Sequence, residues 1–495
     1  MPLRVVALPE PVLAFGQGQT AEDPRTGLAL FGPHDATERG RLQIGVIGTR
    51  DGLALYRRWV SRIAAPILPH DRSAARPAFP GYAALTGTTW PDEPAVAVTL
   101  ARDTIDEAAE IPDRHQRIFR MADIFSEAIL DELQRSEVSP DLWFVIIPDA
   151  VWLHGRPRSG ARRGSASNPF DMTPKLARTL RGRPSLFPAD NAAALVYQHS
   201  PDFHHQLKAR LLDRQVPIQI MKEGTLLNGI DEADPRTQAA IAWNLSSSTY
   251  YKSGGRPWKS ATARDGVCYL GIVFKEDPSD PEGRAACCAA QMFIDSGDGF
   301  VFRSNARPWR AHRRGEFHLP EPDARSLMET ALAEYRRLRG EAPREVFVHG
   351  RVRLWDEEWA GFRSAAGVET AVTGVTIRES WGTKLFREGD MVPMRGLAVV
   401  SSDRDALLWS RGYVPYLDTY AGRELPNPFD VSVTRGEADI ETVLADVLSL
   451  TKLNYNACIH ADGEPVTLKF ANAVGEILTA APRTSQPPMP FKYYI

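Results

Sequence analysis

Apolar runs of strand length recur through the first half of the chain, at residues 41–49 (RLQIGVIGT), 95–102 (AVAVTLAR) and 141–149 (DLWFVIIPD). The last run is apolar enough to bury both of its faces, as a strand inside a parallel sheet does. Between the first two, LALYRRWVSRI has helical spacing, and 113–136 predicts a longer helix ahead of the third run. Strands alternating with helices argue for a doubly wound α/β unit through roughly residue 250. The first 40 residues read as irregular, with LPEPVLAFG and GLALFGPHD as short strands around a Gly/Asp/Pro turn.

The second half has a different rhythm. GVCYLGIVFK (266–275), CCAAQMFIDS (287–296) and GFVFRS (299–304) predict three consecutive strands, the last two joined by a tight Gly-Asp turn. A helix over 323–340 with a glycine cap, a strand at 345–350 and a helix over 354–366 follow. Strand-strand-strand-helix-strand-helix is the element order of an RNase H-like domain, though many α/β domains contain such hairpins. Amphipathic helices are predicted over 439–454 and 466–480, and the apolar ending PPMPFKYYI predicts a docked tail.

Length and composition narrow the class. A chain of 495 residues suggests two or more domains, and 43% hydrophobic with 24% charged residues describes an ordinary soluble globular protein. A formal net charge of −3 argues against a general polyanion binder, so any nucleic-acid contact must come from local patches. The four cysteines (Cys268, Cys287, Cys288, Cys458) have no metal-binding spacing and suit a reducing cytoplasm. No signal-peptide order is visible at the start, and no apolar run reaches the length of about 18 residues that a membrane span requires.

One local cluster stands against the acidic balance. If 203–213 is helical, His204 and Lys208 lie one turn apart on one face, and Gln219 and Lys222 flank the next apolar run. Converging cationic and amide donors suit an anion. Two further basic segments, 154–169 (HGRPRSGARRGSASNP) and 303–318 (RSNARPWRAHRRGEFH), read either as solvated surface or as phosphate contacts. GVIGTRDG (45–52) lacks the spacing of a nucleotide-binding glycine loop and reads as a structural turn.

The segment LTKLNYNACIHADGEPVTLKFANAVGEIL, with VPYLDTYAGRELPNPFDVSV upstream of it, resembles the C-terminal part of prokaryotic Argonaute PIWI domains. The likeness extends from GLALFGP to the end of the sequence, diffuse over 41–200 and specific in the final 90 residues or so. It implies the short type of prokaryotic Argonaute, which consists of MID and PIWI and lacks the N and PAZ domains. The implied organisation is N-terminal strands packing on PIWI over 1–40, a Rossmann-like MID domain over 41–250 and an RNase H-like PIWI domain over 251–495. In that family a pocket on MID holds the 5′-phosphate of a guide strand. The matching positions here are His204, Lys208, Gln219 and, in NLSSSTYYKSGG, Lys252, with histidine where tyrosine is frequent. The carboxylate of Ile495 is expected to reach the same pocket and help hold Mg²⁺ with the phosphate.

RNase H-type cleavage needs two metal ions held by clustered carboxylates. The first expected acid falls on Val273 in YLGIVFK, the last on Asn472 in PVTLKFANAVG, and another on the stretch Arg351, Val352, Arg353. Glu276, Asp277 and Asp295 are nearby acids that a shifted register would have to recruit. The resemblance therefore implies a catalytically inactive PIWI domain, not an enzyme. It further implies a guide, expected to be RNA, a single-stranded DNA target, and a heterodimer with a partner that carries an APAZ domain and an effector. That effector would be a TIR or sirtuin-type NADase or a nuclease, acting in defence against plasmids or phage. The alternative is a guide-directed nuclease using RNase H-type acids.

Overall fold

The computed structural model describes residues 3–35, 41–71, 73–160, 172–232, 234–276, 286–294, 299–304, 309–310, 316–389, 391–420, 422–482 and 489–495. The side chains of Val273, Glu276 and the pair Cys287 and Cys288 lie outside what is described, as do Asp277, Asp295, residues 161–169 of the basic segment 154–169 and most of 303–315.

Four strands form an all-parallel sheet in the order Val96–Thr99, Ile44–Gly48, Leu142–Ile147, Ile218–Lys222. The central strand Leu142–Ile147 shows why its sequence is apolar throughout. Leu142, Phe144 and Ile146 enter one core with Tyr56 and Trp59, while Trp143, Val145 and Ile147 enter another with Ile105 and Phe125. With helices on both faces, alternate residues all find apolar neighbours. Gly45 is required in the adjacent strand, since a Cβ there would lie 2.6 Å from the Trp143 ring. The GVIGTRDG segment is the turn into helix Arg50–Ala64, capped by Thr49 Oγ1, which accepts from Gly52 N at 3.1 Å.

The second unit is, among the described residues, a ten-stranded mixed sheet. Val267–Glu276, Ala286–Ile294 and Gly299–Ser304 are consecutive antiparallel neighbours. Glu345–Gly350 then pairs parallel to the first of these, and Ala371–Glu379 parallel to Glu345–Gly350. Helix Glu321–Arg339 precedes one of those strands and helix Asp356–Ala366 the other. This is the RNase H-like order expected from the sequence. Strand Arg4–Ala7 forms one edge of the same sheet, against Leu397–Val400, and Met489–Pro490 forms the other, against Gly299–Ser304. The tail is docked, with Phe491, Tyr494 and Ile495 buried.

Two elements differ from expectation. The GLALFGP segment, expected as a strand, is part of helix Pro24–Phe31. The Asp23 carboxylate accepts from Arg25 N and Thr26 N, and Pro24 stands at the first position, so the local start signal outweighs the short apolar run. The helix expected over 466–480 is two pieces, Val466–Lys469 and Ala471–Leu478, because Phe470 leaves helical geometry at φ −94°, ψ 1°. The break lies beside a close approach of chains: a Cβ on Gly271 would fall 2.0 Å from the Thr467 carbonyl oxygen.

Candidate functional site

Helix Phe203–Leu212 starts at Asp202, whose side chain accepts from His205 N at 3.0 Å. One face of this helix packs on the parallel-sheet unit through Phe203, Leu207 and Leu211. The opposite face joins the core of the large sheet through Ala209 and Leu212, where Tyr494 and Ile495 also lie. Lys208 is carried into the junction and is 4% exposed, with its ammonium donating to the Tyr494 carbonyl at 3.1 Å.

Helix Pro235–Lys252 delivers the second lysine from the other side. Lys252 is 2% exposed, donating to Gln219 Oε1 at 2.8 Å and to the Ile218 carbonyl at 3.3 Å. Its helix ends there because the chain turns through Gly254 at φ 96°. Gln219 sits half-buried in strand Ile218–Lys222, so its amide is aimed by the parallel sheet. His204 stands at the mouth of the pocket, reaching solvent.

The electrostatics of the pocket are one-sided. Burial pushes the Lys208 ammonium from 10.5 down to about 7. Burial and the Lys208 charge hold Lys252 well below its ordinary value. Desolvation of the inner part of the His204 ring, then the charges of Lys208, His205 and Lys252, hold that imidazole below its ordinary range, although its outer edge is exposed. Among the described residues, no carboxylate side chain lies within ion-pair distance of either lysine. Two enclosed lysine side chains bonded only by neutral oxygens are left short of negative charge.

The structure thus brings His204, Lys208, Gln219 and Lys252 together, with Ile495 one residue beyond the Tyr494 carbonyl that Lys208 bonds. Beside them lies a feature that sequence reasoning missed. A cavity of about 350 Å³ is lined by Trp152, Arg156, His204, His205 and Ile220. The Arg156 guanidinium lies 3.4 Å over the Trp152 ring and the Lys222 ammonium 4.3 Å from it. The available signal was a tryptophan between a strand end and a basic loop. Asp202, His204 and His205 are, among the described residues, the one His/Cys/Asp/Glu trio close enough to share an ion. The helix N-terminus and the lysines behind it favour anions there over a cation.

A second buried charge cluster, also unread in the sequence, ties the N-terminal segment to the large sheet. Glu10 faces Lys452 at 2.6 Å, Arg395 at 3.0 Å and His460 at 3.2 Å. Asp23 faces Arg25 at 3.2 Å and His460 at 3.4 Å. Burial alone would raise both carboxyls. The His460 ring and the neighbouring cations more than offset it, leaving Asp23 at about 2 and Glu10 lower still. Every cation of this cluster has a carboxylate partner, unlike those of the Lys208–Lys252 pocket.

Asn472, at the start of helix Ala471–Leu478, is exposed and lines a cavity of about 190 Å³ with Ile272, Phe274, Arg351 and Arg353. Val273, the other position expected to have lost its acid, has a side chain outside the described residues.

No protein-family model and no curated protein matches the sequence. Solved structures do match in fold. Clostridium butyricum Argonaute bound to a guide DNA with 5′ deoxycytidine and a 19-mer target DNA aligns at a TM-score of 0.65 and 13% identity, covering 100% of this chain and 55% of that one. Drosophila Piwi aligns at 0.61 and 13% identity, covering 99% and 56%. A. aeolicus Argonaute aligns at 0.57 and 14% identity, covering 98% and 54%. The chain spans little more than half the length of these structures. Over nearly all of its own length it has the MID and RNase H-like PIWI fold of Argonaute and Piwi proteins.

Proposed function

We propose that this protein anchors a guide strand by its 5′-phosphate between Lys208, Lys252 and Gln219, and recognises a complementary strand paired to that guide. The observation that carries the reading is the pair of enclosed ammonium groups with no carboxylate partner. A terminal phosphate brings nearly two negative charges and several acceptor oxygens, which charge-assisted bonds from Lys208, Lys252 and the Gln219 amide would satisfy. His204 at the mouth, and Trp152 in the adjoining cavity, offer aromatic faces for the first base. The Argonaute with guide and target DNA that shares the fold supports the same reading.

The rest of the proposal follows the family resemblance. The guide is RNA, the target single-stranded DNA, and the protein a short MID–PIWI Argonaute in the cytoplasm. Its PIWI domain does not cut, and target recognition activates an APAZ-domain effector on a partner chain, in defence against plasmids or phage. Mg²⁺ fits the pocket only with the phosphate in place, because the pocket's own oxygens on Gln219 and Tyr494 face ammonium groups. The Ile495 carboxylate and the phosphate oxygens would then hold the ion, which supplies charge neutralisation between them.

The test is binding of a guide RNA of about 20 nucleotides with either a 5′-phosphate or a 5′-hydroxyl, in Mg²⁺ and in EDTA. Wild type is expected to prefer the phosphate by at least about tenfold, with Lys208→Ala removing the preference. Equal affinity for the two ends in wild type refutes the pocket.

A further inference from the structure

An RNase H-type centre holds its substrate phosphate with two metal ions on clustered acids. Among the described residues, the cavity of about 190 Å³ beside Asn472 offers one carboxylate, Glu358, and two arginines, a lining that does not fit such ions. It is lined by Ile272 and Phe274 from the first strand, by Asn472 from the C-terminal helix, and by Arg351 and Arg353 from the loop after strand Glu345–Gly350. Glu358 also borders it, but its carboxylate is fully committed. Oε2 faces His318 Nδ1 at 2.9 Å and accepts from Trp355 N at 2.8 Å, while Oε1 accepts from Leu319 N at 3.0 Å.

The two arginines are not equivalent. Arg351 is tied to Glu464. Arg353 is exposed, and among the described residues no partner bonds its guanidinium. Arg353 also borders a neighbouring cavity of about 340 Å³, whose Asp356 is paired with Arg435. An uncommitted guanidinium thus borders two cavities, one of which it lines together with Ile272, Phe274 and Asn472. A planar guanidinium donates two parallel bonds to the oxygens of a phosphodiester.

We propose that this cavity is a phosphodiester clamp, in which Arg353, assisted by Asn472, grips one backbone phosphate of the paired target strand where metal ions would otherwise stand. The proposal rests on the guide-and-target reading above and deepens it. Retention of the target, with no bond broken, is the chemistry this residue set supports.

The experiment uses the full chain loaded with a 5′-phosphorylated guide, and complementary DNA targets in which one phosphate at a time is replaced by a neutral methylphosphonate. Wild type should lose target affinity several-fold at one or two adjacent linkages, beyond the background of the scan. Arg353→Ala should bind unmodified target up to about tenfold more weakly, show a salt slope lower by about 1, and lose the position-specific sensitivity. Arg353→Lys should recover only part. Its preference for a 5′-phosphorylated guide should be unchanged in every variant. Identical scans for wild type and Arg353→Ala overturn the clamp while leaving the guide reading intact. Relief by inorganic phosphate with no dependence on linkage position would show a general anion sink, which also overturns it. Loss of 5′-phosphate-dependent guide retention in wild type overturns both.

Discussion

A lysine ammonium enclosed by protein without a carboxylate beside it is costly to keep charged, and Lys208 shows the cost in its fall from 10.5 to about 7. Between those two values the unfolded chain binds more protons than the folded one, so this group makes the empty protein more stable as pH rises through that window. An entering phosphate reverses the situation by restoring the ammonium. Guide loading at pH 8 is therefore expected to take up about one proton at Lys208, and at pH 6 none there, because the group is already charged. Calorimetry in two buffers of different ionisation enthalpy reads the uptake directly. Lys208→Met removes the charge and keeps most of the stem. It should raise the stability of the empty protein by about 1 kcal/mol while abolishing both the proton uptake and the preference for phosphate. A fall in stability would mean that the ammonium is well satisfied by the Tyr494 carbonyl, and that no anion is awaited.

At the scale of elements, Glu10 acts as a latch. The segment that carries it touches Lys452 just past helix Ile440–Leu450, Arg395 just ahead of strand Leu397–Val400, and His460 in a later loop. Glu10→Gln leaves these cations without their shared anion and should cost about 3–5 kcal/mol in denaturant unfolding. The double variant Glu10→Gln with Lys452→Met should recover part of that loss; strict additivity of the two would show that the residues are not coupled. Both Glu10 and Asp23 are held below the usual carboxylate range, so their contribution is present above about pH 4 and fades as acid protonates them. None of this was legible in the sequence, because Glu10 and Lys452 meet only after the large sheet closes. The buried strand Leu142–Ile147 was legible, since six apolar residues in a row can satisfy nothing but two cores. That His204, Lys208, Gln219 and Lys252 lie close together was expected only through the family pattern, and their role in holding a phosphate rests on the proposal above. Local charge spacing alone describes a solvated helix face equally well. Helix Pro24–Phe31 is hidden in the sequence because its apolar run has strand length, while the deciding signal is the Asp23-Pro24 start.

At the scale of the whole molecule, helix Phe203–Leu212 belongs to two cores at once. Leu207 and Leu211 face the parallel-sheet unit, Ala209 and Leu212 face the large sheet, and Lys208 between them bonds the carbonyl of Tyr494 in the docked tail. The Lys208–Lys252 pocket is thus built at a seam, with Gln219 from the parallel-sheet unit and the Tyr494 carbonyl from the docked tail, and a ligand bound to both sides would stabilise the two units together. A short 5′-phosphorylated oligonucleotide at 100 times its Kd should therefore stabilise the chain by about 2.7 kcal/mol. The thermal transition should move as a single step. Amide exchange should slow at Met489 and along Gly299–Ser304 as well as around Gln219, because the tail pairs with that strand. The 5′-hydroxyl oligonucleotide should leave both readouts unchanged. If instead the transition splits and only the exchange around Gln219 slows, the two units unfold independently. The tail contact at Tyr494 would then be incidental to anion binding.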